Sequence, residues 1–446
     1  MGACAGPEPK TDAPGLRVGD VLGSGRSDAQ FARADSPRAF EFPADHGAHP
    51  DFRSEWWYLT LALEDREGRE FGVQFTVFRQ AVFPGAPRND PWRNGQAYLA
   101  HFAVTDVEAG VHREAERLSR GHPALAGARA VASSAATPAN GTPTIGGAGT
   151  AIERGTHHGS LQATPTEDAR VTPTTIGTST AIERDTHPGS LNGTPDGISS
   201  EISAELPGIA DMKDIHGGGP AGHEGGFAVW LEDWRLAANG DDWRLDAATR
   251  DYSVSIHLTP AKPIVLQGDR GLSVKGLGQA SYYYSVPRLR ASGSLVIEEN
   301  TYSVTGAGWL DREWSTSVLG AHQVGWDWFA LMLDNGEDIM AFRLRRDDSM
   351  RDPHDHGLLI DASGQARRLG MRDFSLEPLE YWRDERGTQW PVGWALTVGE
   401  RRWRIAAALR DQRMDTLLTY WEGLVHVLDE EGVQSGRGYM ELTGYR

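Results

Sequence analysis

The chain has 446 residues, a formal net charge of −18, 39% hydrophobic residues, 15 tryptophans and 53 glycines. That length allows two or three domains, each able to bury a core, and the acidic balance speaks against a general nucleic-acid or anionic-membrane binder, which needs clustered Lys and Arg. No apolar run approaches the roughly 20 residues of a membrane span, and a single cysteine allows neither an internal disulfide nor a cysteine-based zinc site.

That cysteine, Cys4, follows the small residues Gly2 and Ala3 and precedes a Pro-rich stretch, in MGACAGPEPKTDAPG. The pattern is that of a lipidated bacterial cysteine, without the charged and apolar regions of a signal before it. Two readings stand: an exported, periplasmic or outer-membrane-anchored lipoprotein whose signal is missing, and an ordinary cytoplasmic start. Residues 1–45, rich in Gly, Pro, Ala and Asp, read as a tether. Glu55 to Arg79, EWWYLTLALEDREGREFGVQFTVFR, reads as a hairpin turning around Asp65 to Gly68.

Residues 103–226 contain no aromatic residue, where the chain's 9% average would place about 11. From 130 to 222 the composition is Gly, Thr, Pro, Ser and Ala, and it repeats. TPT at 142–144 returns at 172–174, and AIERGTHHGSL at 151–161 returns as AIERDTHPGSL at 181–191, at the same offset. His157, His158 and His187 would make a metal tract on one reading. On the other, the segment is a disordered insertion made by local duplication, because it cannot bury enough apolar surface to offset its ordering entropy.

Elsewhere short strand patterns recur: Tyr98 to Asp106, Phe227 to Leu231, Tyr252 to Leu258, Ser294 to Glu298, Tyr302 to Thr305, Trp328 to Leu333, Ile339 to Arg343, Gly393 to Val398, Trp403 to Ala408 and Gly423 to Leu428. Many short strands with Gly, Asn and Asp turns predict an all-β barrel or sandwich.

The pattern is also duplicated. EWWYLTLALEDREGREFGVQFTVFR resembles GWDWFALMLDNGEDIMAFRLR, and HFAVTDVEAG from His101 resembles HGLLIDASGQ from His356. DYSVSIHLTPAKPIVLQGDRG resembles RWRIAAALRDQRM. YYYSVPRLRASGSLVIEENTYSVTGAGWLD resembles TYWEGLVHVLDEEGVQSGRGYMELTG, so that GAGWLD (306–311) meets GRGYME (436–441). Four matches in one order predict two tandem antiparallel β-barrel domains, 46–316 with the insertion at 130–222 and 317–446. Barrels of this size hold one small ligand inside or at the mouth.

SEWWYLTLAL, HFAVTDV, FAVWLEDWRL, ASYYYSVPRLRASGSL, GWLDREWSTSVLG, GWDWFALMLDNG and YWEGLVHV together resemble the AttH and carotenoid 1,2-hydratase (hydroxyneurosporene synthase) family. The likeness is nearest to its exported branch, often labelled predicted secreted hydrolases. It covers about 45 to 446, less the insertion. The resemblance implies a pair of lipocalin-like domains with a pocket at or between them, and, for the carotenoid members, addition of water to an isolated double bond without a cofactor.

Such chemistry needs a strong proton donor, a wall that tolerates a carbocation, and a route for water. A carboxylic acid held neutral by apolar surroundings meets the first need, and aromatic faces the second. The carotenoid members carry Tyr-x-Asp at the end of the first domain; here the residues are Trp309, Leu310 and Asp311. The resemblance makes Asp311 the candidate acid and Trp309 an aromatic wall. Arg312, Glu313 and Trp314 follow where those members have His and Asn, so an Asp311–Arg312 ion pair is the competing reading, as is a turn-capping carboxylate.

Alternation sets Trp309, Asp311 and Glu313 on one face of an extended strand, where two carboxylates can split their titrations. Glu55, beside Trp56, Trp57 and Tyr58, is a pocket carboxylate or a rim ion-pair residue. His101 is a proton relay or a satisfied core histidine. Tyr282, Tyr283 and Tyr284 alternate faces, lining a pocket or packing between barrels. There is no G-x-S-x-G elbow, H-E-x-x-H or GxxxxGK[ST], and His354-Asp355-His356 is a short polar turn; no metal or cofactor is expected.

Two functions remain open at this level. One is an exported enzyme of hydratase or isomerase type, a hydro-lyase or the hydrolase of the family's label, acting on an apolar isoprenoid-, carotenoid- or polyketide-like molecule by acid–base chemistry. The other is a non-catalytic periplasmic lipid-binding or carrier protein.

Overall fold

The computed structural model describes residues 30–85, 94–131, 225–317, 319–320 and 322–445. Cys4 and nearly all of the expected insertion at 130–222 lie outside the described residues. In the first half the strands are β1 Ser54–Glu64, β2 Glu70–Ala81, β3 Gln96–Asp106, β4 Val111–Arg120, β5 Ala126–Val131, β6 Gly226–Leu231 and β7 Trp234–Asn239. They continue as β8 Asp242–Ala248, β9 Tyr252–Pro260, β10 Val265–Leu266, β11 Leu272–Gly276, β12 Gln279–Ile297 and β13 Asn300–Ser315. The second half has β14 Gln323–Leu333, β15 Asp338–Arg346, β16 His356–Ile360, β17 Ala366–Gly370 and β18 Phe374–Arg383. It ends with β19 Gln389–Val398, β20 Arg401–Ala407, β21 Arg413–Asp415, β22 Thr419–Leu428 and β23 Gln434–Leu442. Among the described residues no helix is long and apolar enough to cross a membrane.

The fold is all-β: two antiparallel, barrel-like sheets of lipocalin type. The first runs β4-β3-β2-β1-β13-β12-β9-β8-β7-β6-β5 and the second β17-β16-β15-β14-β23-β22-β20-β19-β18. The two orders superpose term by term from β4 and β17 onward, and the first sheet adds β6 and β5, which flank the low-complexity segment. The four duplicated segments fall on equivalent strands. GAGWLD and GRGYME lie within β13 and β23, each paired with β1 or β14 of its own sheet.

The two glycines of each motif have a steric reason. A Cβ on Gly306 would collide with the backbone carbonyl of Ala62, and one on Gly438 with that of Ala330. Only glycine lets β13 press onto β1, and β23 onto β14, at these points.

Ser294 to Glu298 and Tyr302 to Thr305, read as separate short strands, are the tips of the two longest strands, β12 and β13. Their glycines and polar residues hide the continuity. The polar strand β4, VHREAERLSR, gave no apolar signal because it is half-exposed along its length.

Alternation divides the central strands into two buried faces. On β1, Trp57, Leu59, Leu61 and Leu63 enter the core of the first barrel, whereas Tyr58 and Ala62 join an apolar cluster shared by the two sheets. That cluster also takes Trp309, Tyr283, Trp326, Trp328, Leu424 and Tyr439. The second barrel has its own core around Trp390, Trp394 and Trp421. Covering both faces explains why β1 reads as a nearly unbroken apolar run. Polar contacts fasten the edge of the junction: Asp338 is ion-paired with Lys262 (2.6 Å) and Arg288 (2.7 Å), and Glu70 is ion-paired with Arg437 (2.9 Å) and hydrogen-bonded with His426 (2.7 Å).

The last part of the expected tether is packed. Phe31, Ala34, Asp45 and His46 are buried, and Phe40 and Phe42 lie against the first core. Aromatic residues within a Pro- and Asp-rich stretch supply the apolar area that docks it. Trp57 Nε1 donates to the His46 carbonyl (2.8 Å), and the His49 ring stacks on Trp314 at 3.8 Å.

Beneath this segment lies a charged centre. Glu55 is ion-paired with both Arg79 and Arg312, all three essentially without solvent exposure, and Arg312 sits over the Trp57 ring at 3.8 Å. Burial alone would raise the Glu55 pKa, but Arg79 and Arg312, with His49, hold it well below the ordinary 4.5.

Glu55→Ala leaves two guanidiniums unpaired and should cost about 3–5 kcal/mol in urea unfolding. Because the folded pKa of Glu55 is depressed, its contribution is complete above about 4.5 and lost as pH falls toward the lowered value. Wild type should therefore lose stability on acidification more steeply than Glu55→Gln. Gly438→Ala should cost about 1–3 kcal/mol; an unchanged urea midpoint would mean that β23 does not need the close approach.

Candidate active site

β1, β12 and β13 turn their outer faces toward β14, β22 and β23. A small cleft lies there. Asp311 and Glu313 from β13, Tyr283 from β12, Trp56 and Tyr58 from β1, and Lys275 from β11 form one side. Trp326 and Trp328 from β14, Phe342 from β15, Tyr420 from β22 and Glu441 from β23 form the other.

Asp311 is 3% exposed. Its carboxyl accepts hydrogen bonds from the Tyr283 hydroxyl (2.5 Å), the Ser285 hydroxyl and Trp309 Nε1 (2.7 Å). Tyr283 in turn accepts from Trp328 Nε1 (3.2 Å), and Ser285 from Gln267 (2.8 Å). Burial pushes the Asp311 pKa up; the three donors pull it back, Glu313 adds repulsion, and the balance is about 7. Glu313 is paired with Lys275, whose ammonium lies 5.6 Å from the ring centres of Trp56 and Phe342.

Glu441 is half-buried and lines the cleft. Burial raises its pKa, a hydrogen bond from Trp326 Nε1 (3.2 Å) opposes this, Asp311 and Glu313 raise it further, and it reaches about 8. Its cross-strand neighbour Glu422 is fully buried. Burial and the Glu441 charge drive Glu422 well above the usual carboxylate range, although the Tyr58 and Tyr420 hydroxyls lie near enough to oppose the shift. Neither oxygen of Glu422 has a well-directed hydrogen bond, and a buried carboxyl without such donors favours its neutral form.

Of the residues expected from sequence, Asp311, Glu313, Tyr58 and Tyr283 meet in the cleft, and Trp309 stands behind Asp311 as a donor. His101 lies one step away, hydrogen-bonded to Tyr420 (2.8 Å) and Glu116 (2.9 Å). Glu55, Trp57, Tyr284 and Trp314 do not reach the cleft. They share the opposite face of their strands, so they enter the first barrel, where Glu55 is neutralised by arginine and Tyr284 bonds His46 (2.6 Å). Tyr282 shares that face. Arg312 points the same way, so no Asp311–Arg312 pair forms. Among the described residues no three His, Cys, Asp or Glu side chains converge as a metal site requires.

Glu441, Glu422, Lys275, Tyr420, Trp326 and Trp328 were not singled out from sequence. The signal for Glu441 was nonetheless in the duplication, since GAGWLD against GRGYME sets Asp311 opposite Glu441. The strand registers extend the correspondence. Asp311 pairs with Tyr58 and Ser285, and Glu441 with Trp328 and Glu422, in the same relation. Tyr283 and Tyr420 then occupy equivalent places, two residues before Ser285 and Glu422.

The AttH-like family profile matches residues 33–167 and 214–445. Among solved structures, an AttH protein from Nitrosomonas europaea is similar at 29% identity and a TM-score of 0.63, covering 93% of this chain and 100% of that one. Kievitone hydratase from Nectria haematococca shares the fold at 11% identity and a TM-score of 0.53, covering 94% of this chain and 96% of that one. Comparison with curated proteins returns no significant match. With two equivalent sheets and a profile match spanning both, the chain belongs to the AttH-like family.

Proposed function

We propose that the chain is an acid–base enzyme that adds water to, or shifts, a carbon–carbon double bond of an apolar small molecule held in the cleft between its sheets, without a cofactor. The observation that carries this reading is the pair Asp311 and Glu441. Each comes from the equivalent strand of one repeat, and both titrate near neutrality, at about 7 and about 8. Hydration ranks first among the double-bond chemistries because a protein of the same fold is named a hydratase.

The hydrogen bonds divide the work. Three donors suit the ionised form of Asp311, whereas Glu441 has one donor and a protonated neighbour. In this reading Glu441 gives its proton to the double bond, water attacks the cation, and Asp311 takes the proton that water releases. This reverses the donor role that the sequence gave to Asp311. Trp326, Trp328 and Tyr58 offer π-faces to the cation. An isoprenoid, carotenoid-like or polyketide-like substrate suits these walls. Export and lipidation at Cys4 belong to the same reading and rest on the sequence pattern alone.

Incubation with kievitone and with lycopene in isotopically labelled water tests it. A product one water heavier, carrying solvent oxygen, is expected from at least one. Glu441→Gln and Asp311→Asn should each lower that turnover by about 10²–10⁴-fold, with ligand retention kept. Ligand that is bound but returned unchanged under all conditions would favour the carrier function instead.

The rate should be bell-shaped in pH. It should fall below about 7 as Asp311 is protonated and above about 8 as Glu441 loses its proton. The alkaline limb belongs to the Glu441–Glu422 pair as a unit. Glu313→Gln removes a negative charge felt by both acids, so both limbs should move to lower pH; a rise in either would contradict the assignment.

A further inference from the structure

We propose that Tyr420, His101 and Glu116 form a proton path joining the buried Glu422–Glu441 pair to solvent on the outer face of β4, independent of the mouth of the cleft. The outer links are hydrogen bonds, and the inner end is the shared face of β22, on which Tyr420 and Glu422 lie two residues apart. Tyr420 lines the cleft beside Glu422, and its hydroxyl lies 2.8 Å from His101 Nδ1. His101 Nε2 lies 2.9 Å from a Glu116 oxygen. His101 has no solvent exposure, whereas the Glu116 side chain is 24% exposed, so the chain runs from interior to surface across β3 and β4, where His101 and Glu116 are cross-strand partners.

The orientation of each link follows from chemistry. An ionised Glu116 only accepts, so His101 Nε2–H donates to it and Nδ1 is left to accept the Tyr420 O–H. The Leu417 amide (3.1 Å) also donates to Glu116, and the Thr416 hydroxyl lies 3.4 Å from Nε2. These contacts fix the outer end. Inward transfer uses the other tautomer: Nδ1–H donates to the Tyr420 oxygen as Tyr420 O–H donates to the carboxylate pair, and Nε2 takes the proton of a protonated Glu116, which leaves the ring in the Nε2–H form above until it tautomerises back. The Tyr420 hydroxyl passes protons without becoming a phenolate, a form that burial and Glu422 disfavour.

The path matters because a bulky apolar ligand would close the mouth. For each proton that Glu441 gives to substrate, one enters at Glu116 and one appears on the Glu422–Glu441 pair; nothing is oxidised or reduced. This role rests on the acid assignment made for Glu441, but its test reads no turnover.

The experiment is infrared difference spectroscopy after rapid mixing into D2O of the protein saturated with kievitone, which closes the mouth of the cleft. The reporter is the protonated-carboxyl C=O band that disappears in Glu422→Gln. In His101→Gln, Tyr420→Phe and Glu116→Gln its deuteration should slow on the order of 100-fold. Glu116→Gln, at the partly exposed end, guards against misfolding of the buried variants. Loss of packing alone would speed exchange rather than slow it. Deuteration within about twofold of wild type in the three folded variants would overturn the path. Slowed exchange in a protein that hydrates nothing would overturn the enzymatic reading and leave the path standing.

Discussion

The structure depends on the burial of both faces of its central strands. β1, β12 and β13 in one sheet, and β14, β22 and β23 in the other, each serve a barrel core on one side and the junction on the other. Because side chains alternate along a strand, every residue of these strands is committed to one environment by its parity. Glu55, Arg312 and Trp314 fall on the barrel side; Tyr58, Tyr283, Asp311 and Glu313 fall on the junction side. One residue of slip would exchange the two sets, so the glycine-dependent close pairing of β13 with β1 also holds the chemistry in place.

That division explains why buried carboxylates in one protein titrate in opposite directions. Glu55 meets two guanidiniums in the first barrel and is held ionised. In the junction the described cation nearest the acids is Lys275, already engaged by Glu313. Asp311, Glu441 and Glu422 therefore feel burial and one another, and their pKa values rise. The first arrangement is a structural ion pair; the second supplies groups able to give and take protons near neutrality.

Duplication supplies the matching parts, and divergence makes them unequal. Ser285 donates to Asp311 where Glu422 stands beside Glu441. Tyr58 faces Asp311 where Trp328 faces Glu441, and Trp309 is matched by Tyr439. A hydroxyl donor in one repeat and a second acid in the other are enough to bias one carboxyl toward its ionised form and its counterpart toward the neutral one. A single repeat could present only half of this cleft.

The sequence by itself determined that the chain is all-β, that it is duplicated, and that Asp311 and Glu313 share a face, because strand periodicity and repeat order are local properties of the chain. It also aligned Asp311 with Glu441 through GAGWLD and GRGYME. It did not reveal β4, whose polar residues lack the apolar alternation, nor that Glu55 would be spent on Arg79 and Arg312 among its aromatic neighbours. Only the tertiary structure decided which face of β13 meets the second barrel, and that His101 reaches Tyr420. Those outcomes depend on side chains brought together from distant parts of the chain by the stacking of one sheet on the other. Spacing along a strand says which residues share a face, but the partner that covers that face sets its charge, its solvation and hence its chemistry.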